Sequence, residues 1–310
     1  MASGSNESTP GAAAQKKLLK LTHKRLERFV TLVPKFFVND NPDTIHDLRV
    51  WSRRLQQTLQ ITLPQTKTPA SRKVVRTLRR VRQALGPCRN LDVNIEIARR
   101  RSQEAQSAIS REGWEALGTH LQESRGSLLA KARKEVARYD FVAFIERARK
   151  VIAHADLGAD PTPRLETAVD ASMSEWDEAY RLAQESRSVD HLHAWRIATK
   201  RLRYRAELWT DSGSVALKPV VKDLKVIQAA LGDWHDRCIL LEFAAEFLAR
   251  PDFLVQHPDQ GSALLADLEN EKKCNDAAVE NVLSRAAKLR KRWNGRQIQG
   301  RNRAAKNADQ

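Results

Sequence analysis

The chain has 310 residues, with 54 Lys and Arg against 38 Asp and Glu, and a formal net charge of +16. Its 41% hydrophobic content, with only 12 Gly and 11 Pro, excludes a chain disordered throughout and permits a buried core. The positive excess calls for an anionic partner, whether nucleic acid, a membrane surface or a small polyanion.

From the N-terminus, residues 1–14 are small and polar and are expected to be disordered, without the apolar stretch of a signal peptide. Leu18, Leu19, Leu21, Leu26, Phe29 and Val30 then recur at helical spacing, ending near Pro34. Asp43 or Thr44 can cap a second helix that runs to about Leu63-Pro64, and Ser71 opens a third that ends at Gly86. Asn90 can start a fourth, and Ala/Glu/Arg-rich helices over Trp114 to Tyr139 and Phe141 to His154 complete a first half, residues 15–155. Residues 156–163 carry Gly and two Pro and read as a linker. The second half, residues 164–293, predicts helices from Leu165 to Gln184, Val189 to Trp209, Val215 to Leu231, Asp236 to Ala249 and Gln260 to Trp293. Residues 294–310 form a polar, basic tail expected to be disordered; the basic run from Lys288 into it is an extra anion-gripping arm in a bacterium, or a nuclear or nucleolar signal in a eukaryote. Alternating strand patterns are absent, so the fold class is all-α.

Within this helical chain one segment is written twice. His46-Asp47-Leu48-Arg49-Val50-Trp51-Ser52-Arg53-Arg54-Leu55 is echoed by His193-Ala194-Trp195-Arg196-Ile197-Ala198-Thr199-Lys200-Arg201-Leu202. In each copy a histidine is followed by basic residues three, seven and eight positions later. Positions i, i+3 and i+7 share one helix face, so each copy lines up an imidazole and two cations over about 10 Å. The match continues: Arg72, Arg76, Arg79 and Leu85-Gly86 correspond to Lys218, Lys222, Lys225 and Leu231-Gly232, and Arg89 corresponds to His235. Matched histidines, cations and Leu-Gly pairs in register imply an internally duplicated half-domain, because the period is too long for a solenoid.

The charge is concentrated on these helices. From His46 to Arg89 there are eleven Lys and Arg and one acid, Asp47; from His193 to Lys225 there are eight against Glu207, Asp211 and Asp223. Like charges three or four apart repel, and too few acids are present to relieve them. Each helix keeps an apolar stripe, Leu48, Trp51, Leu55 and Leu59 in one and Trp195, Leu202 and Trp209 in the other. Each is therefore two-faced, with one side for the core and one for an anion. The tryptophans are assigned to the core, as are Cys88 and Cys238 as small fillers.

The motif His-x-x-Arg-Val-x-x-Arg-Arg-Leu, a basic following helix ending Leu-Gly, and the second copy ending Lys-Arg-Leu-Arg-Tyr closely resemble the CHAD domain, the conserved histidine α-helical domain. The resemblance spans roughly Lys16 to Trp293. It implies two four-helix bundles related by a pseudo-two-fold, with the basic helices facing a central groove or pore, and inorganic polyphosphate as ligand, with association with polyphosphate granules in some members. By matching position the binding residues would be His46, Arg49, Arg53 and Arg54, with His193, Arg196, Lys200 and Arg201. The following helices would add Arg72, Arg76, Arg79, Lys218, Lys222 and Lys225, and the remaining candidates are Arg89, Arg203 and His235. Gln56-Gln57 stand where the second copy has Arg203-Tyr204, so the first motif helix is expected to grip less well at its C-terminal end.

No catalytic constellation accompanies the motif: there is no Walker sequence, no dinucleotide glycine fingerprint, no His-Glu-x-x-His, and no alternating Glu-x-Glu-x-Lys strand of the CYTH type that resembling proteins can carry. A phosphohydrolase needs acids to hold metal, and the basic segments have almost none. His191-x-His193 points its rings apart on a helix and is not read as a metal pair. The expectation is a non-catalytic polyphosphate-binding module without metal or cofactor, soluble and cytoplasmic. Three widely spaced cysteines suit a reducing compartment, and no apolar run is long enough to span a membrane. The alternative is a nucleic-acid binder, which uses the same electrostatics but interleaves aromatics with its cations; here only Tyr204 interrupts the basic faces. A scaffold that docks acidic proteins is the third class.

Overall fold

The computed structural model describes residues 10–63, 68–155, 157–158 and 160–308, with side chains from 11 to 294. All regular structure among the described residues is helical. The helices are α1 (Pro10–Val38), α2 (Pro42–Thr62), α3 (Pro69–Ala84), α4 (Gly86–Glu104), α5 (Ala108–Val136), α6 (Phe141–Ala153), α7 (Thr162–Ser186), α8 (Val189–Ser212), α9 (Lys218–Leu248), α10 (Pro251–Gln256) and α11 (Pro258–Ala308). They divide into two compact units. Unit 1 holds the chain up to Leu165 together with Asp236–Lys272, and unit 2 holds Glu166–His235 with the chain from Lys273 onward. The boundaries fall inside α7, α9 and α11, so each unit is built from two stretches of chain.

In unit 1 the stripes read from the sequence become a core. Leu48, Leu55 and Leu59 of α2 are fully buried against Phe29 and Phe36 of α1, Leu78 and Val81 of α3, and Phe144 of α6. Trp51 is half-buried at the edge of this cluster, beneath the Arg54 guanidinium 5.1 Å from its ring. A second cluster joins α4 and α5 to the C-terminal part of α9 and to Phe253, Leu264 and Leu268. Arg125 and Asp92 bridge α5 and α4 at 2.6 Å, both side chains nearly or wholly buried, and Arg125 also donates to the Asp40 carbonyl at 2.6 Å. In unit 2, Trp176 stacks on Tyr180 with ring centroids 5.5 Å apart, and Trp195 tilts against both. Trp176 Nε1 donates to Thr199 Oγ1 at 2.9 Å, which satisfies the buried indole. Trp195, Trp209 and Trp234 are buried as the apolar stripes imply, and Cys88 is buried while Cys238 is half-buried.

Several boundaries differ from expectation for physical reasons. Helix α1 continues past Pro34 to Val38, because Phe36 is fully buried and Arg133 donates to the carbonyls of Phe36 (3.2 Å) and Asn39 (2.9 Å). The cap of α2 is Asn41, whose side chain accepts from Asp43 N at 2.7 Å, and the cap of α3 is Thr68, accepting from Ser71 N at 3.1 Å. Asn90 and Asp236 do not start helices. In the first half α4 begins at Gly86, directly after Leu85, where Pro87 has no N–H to continue the ladder of α3. The aligned position in the second half is Asp233, which can continue it, so Val215–Leu231 and Asp236–Ala249 form the one helix α9. Residues 294–308 carry helical backbone where a structureless tail was expected, which suits their Ala, Arg, Lys and Gln content. Residues 1–9 of the expected N-terminal disorder lie outside the described residues, while 10–14 belong to α1.

Candidate functional site

Both motif histidines sit in the first two turns of their helices, set by the caps before them: Asn41 for α2, and Ser188 for α8, whose hydroxyl accepts from His191 N at 3.3 Å. Asp43 and Asp190 occupy the first turns, as the helix dipole favours, and the cations follow one and two turns on.

In unit 2 the structure brings His193, Arg196 and Lys200 of α8 to His235 of α9. The two imidazoles have centroids 5.2 Å apart at 59°. Burial, then Arg196, His193 and Lys200, hold His235 at a pKa of about 3, while burial, Arg196 and Lys200 lower that of His193, with Asp190 opposing. Both rings are therefore neutral at pH 7, the reverse of the charged form a bound polyanion would favour. His191 turns elsewhere, to the Ser186 hydroxyl, so the His-x-His pair does not converge.

In unit 1 the same aligned positions meet. His46 of α2 is exposed, and its pKa is lowered by partial burial and by Arg89 in the first turn of α4. Arg49 Nη1 donates to the Arg82 carbonyl at the end of α3 at 2.6 Å and lies 3.4 Å from where a Cβ on Gly86 would stand. Arg49 thus ties the motif helix to the α3–α4 junction, and a side chain at position 86 would crowd that guanidinium. The first turn of α4 has neither a side-chain cap nor an acid.

The remaining candidates separate by what they already hold. Arg72, Arg76 and Arg79 project from one exposed face of α3 and have no carboxylate partner among the described residues, and the same is true of Lys218 and Lys222 on α9. Arg53 and Arg54 are half-buried. Arg201 is paired with Glu175. Arg203 is buried, bonded to Glu207 (2.5 Å) and Gln228 (2.6 Å) and laid over the Tyr204 ring at 4.3 Å; Lys225 lies 3.8 Å from the same Glu207. Arg203 is therefore a structural cation, and Tyr204, the aromatic that interrupts the basic sequence, is buried. Arg82, which the motif alignment passes over, belongs with this region: its guanidinium donates to Gln56 Oε1 at 2.8 Å, cross-linking α3 to α2. Its glutamine partner gave no charge signal by which to find it.

No helix among the described residues is long and apolar enough to cross a membrane. The CHAD domain family model matches residues 20–245. Among solved structures the chain is similar to the crystal structure of the CHAD domain from the plant Ricinus communis, at 18% identity and a TM-score of 0.66, covering 88% of this chain and 92% of that one. It is also similar to PptA from Streptomyces chartreusis, at 16% identity and a TM-score of 0.65, covering 87% and 98%. No curated protein matches.

Proposed function

The chain belongs to the CHAD family, and from that premise we propose that it is a non-catalytic module that binds inorganic polyphosphate through two basic clusters, one in each unit. The observation that carries this reading is the exposed, acid-free stripe of cations on α3. Arg72, Arg76 and Arg79 form an exposed stripe with no carboxylate partner among the described residues. In unit 2 the cations Arg196 and Lys200 gather around a histidine pair whose pKa values are lowered by burial and by those cations. Stripes of this kind repel themselves in the free protein and are relieved by a chain of closely spaced phosphates. The duplicated pairing of aligned positions, His46 with Arg89 and His193 with His235, supports reading the two clusters as versions of one device.

Inorganic polyphosphate is favoured over nucleic acid by the placement of the aromatics. Trp51 is half-buried under arginine, Trp195 and Tyr204 are buried, and stacking on bases needs exposed rings. The test is competition at fixed salt: a labelled polyphosphate chain bound to the protein is displaced by unlabelled polyphosphate, single-stranded RNA or an acidic polypeptide. Displacement by polyphosphate at far lower charge concentration than by the other two is the expected result. Equal displacement by all three would leave a diffuse basic surface and overturn the reading.

A further inference from the structure

A second basic feature lies in unit 2, away from the motif residues. Helices α9 and α11 enclose a cleft of about 360 Å³ lined by Asp223 and Val226 on one wall and by Asn281, Ser284, Arg285, Lys288 and Arg292 on the other. The α11 residues recur at intervals of three, four and seven, so they share one helix face. The wall carries three cations against the carboxylate of Asp223, and that carboxylate is held by Arg292.

The surrounding surface gives this contrast its meaning. Arg181, Arg187, Arg201, Arg203 and Arg290 of the same unit each hold a glutamate or aspartate. Arg285 and Lys288 hold none among the described residues, although the rest of the unit is well supplied with acids. Concave, low-dielectric walls of one sign focus the field, so a cation pair in a cleft attracts an anion more strongly than the same pair on a convex helix. The hydroxyl of Ser284 and the amide of Asn281 add neutral hydrogen-bonding groups beside the charges. Water occupies about 30 Å³ per molecule in the liquid, so the cleft has room for a small hydrated anion but not for a folded polymer.

We propose that this cleft is a separate binding site for a diphosphate group, held by Arg285 and Lys288, with the charge of Arg292 offset by Asp223. A diphosphate supplies two adjacent anionic centres, which matches two cations one helical turn apart. The group could be free diphosphate or the end of a longer phosphate chain. The site rests on its own residues and does not require that the motif clusters bind polyphosphate.

The probe is inorganic pyrophosphate, titrated calorimetrically into the full chain. Arg285→Ala with Lys288→Ala should weaken binding by about tenfold or more, since charged hydrogen bonds are lost. Lys272→Ala with Lys273→Ala removes the same charge from exposed positions on α11 and should leave pyrophosphate affinity within about twofold. Asp223→Asn makes the cleft more positive without truncating a side chain and should tighten binding, a gain that damaged folding would not produce. Tripolyphosphate and a long chain at equal total phosphate then separate the sources: a chain-end site follows the number of ends, and a free-diphosphate site ignores the long chain. Pyrophosphate affinity that is unchanged in the Arg285/Lys288 variant, or lost equally in the Lys272/Lys273 variant, overturns the proposal. Neither result bears on the motif clusters, whose test uses the long chain and substitutions on α3.

Discussion

The imidazoles of His193 and His235 stand with centroids 5.2 Å apart, and both are held neutral by burial and by the cations of the same cluster. Asp190 is the acid that opposes the shift at His193. Two neutral histidines among cations form an acceptor-rich, positively biased recess. A polyanion entering it reverses the field and makes protonation favourable.

Binding should therefore take up protons. Affinity should rise as pH falls below the bound-state pKa values, by up to about tenfold per pH unit for each proton taken up. Calorimetry in two buffers of different ionisation enthalpy measures the uptake directly. His235→Gln should reduce it, and an uptake of zero at pH 6 in the unaltered protein would contradict the cluster as a ligand site.

The same depressed pKa has the opposite consequence for the free protein. His235 sits at about 3 when folded and near 6.5 when unfolded, so between these values the unfolded chain binds more protons. Its stabilising contribution is complete above about pH 6.5 and is lost as pH falls toward 3. Melting curves at pH 7 and 4.5 should show a smaller acid loss for His235→Gln than for the unaltered protein, and added polyphosphate should offset the loss in the latter.

The buried Arg125–Asp92 pair should behave as structure alone. Removing one partner strands a buried charge, so Arg125→Met should cost about 3–5 kcal/mol, with less than the sum of the single effects when Asp92→Asn is combined with it. Denaturant unfolding checks the magnitude. Polyphosphate affinity measured below the transition should be unchanged.

The motif helices, their inward stripes and the core tryptophans were legible in the sequence because period and residue type both report on which face is buried. The contrast between α4 and α9 was not legible: the halves align through Leu-Gly, and only the exchange of Pro87 for Asp233 decides whether the helix breaks. Arg203 illustrates a second limit. It stands in a basic run like its neighbours, but Glu207 one turn along and Gln228 on α9 consume it. Sequence spacing gives a cation's face, whereas its availability depends on acids and amides brought from other helices. The α9–α11 cleft was not legible for the same reason, since sequence spacing does not show which cations of α11 meet acids brought from other helices and which, like Arg285 and Lys288, do not.

That distinction sets the sharpest mutational contrast. Arg72, Arg76 and Arg79 are exposed and repel one another along α3, so replacing all three with Ala should leave stability unchanged or raise it by a few tenths of a kcal/mol. Polyphosphate binding should fall by at least about a hundredfold, since each charged hydrogen bond contributes roughly 1.5–3 kcal/mol and about 1.4 kcal/mol is tenfold. The slope of log affinity against log salt should also become shallower, because fewer counterions are exchanged. Arg203→Ala should do the reverse. It takes the guanidinium at 2.5 Å away from the largely buried Glu207 carboxylate, which costs on the order of 3 kcal/mol of stability. The cation it removes faces protein, so affinity and salt slope should change little. Melting temperature and salt-resolved affinity on both variants separate the roles. If the α3 variant binds normally while Arg203→Ala does not, the exposed stripe is only a solvated face, and the ligand must be held by the cations already engaged inside the fold.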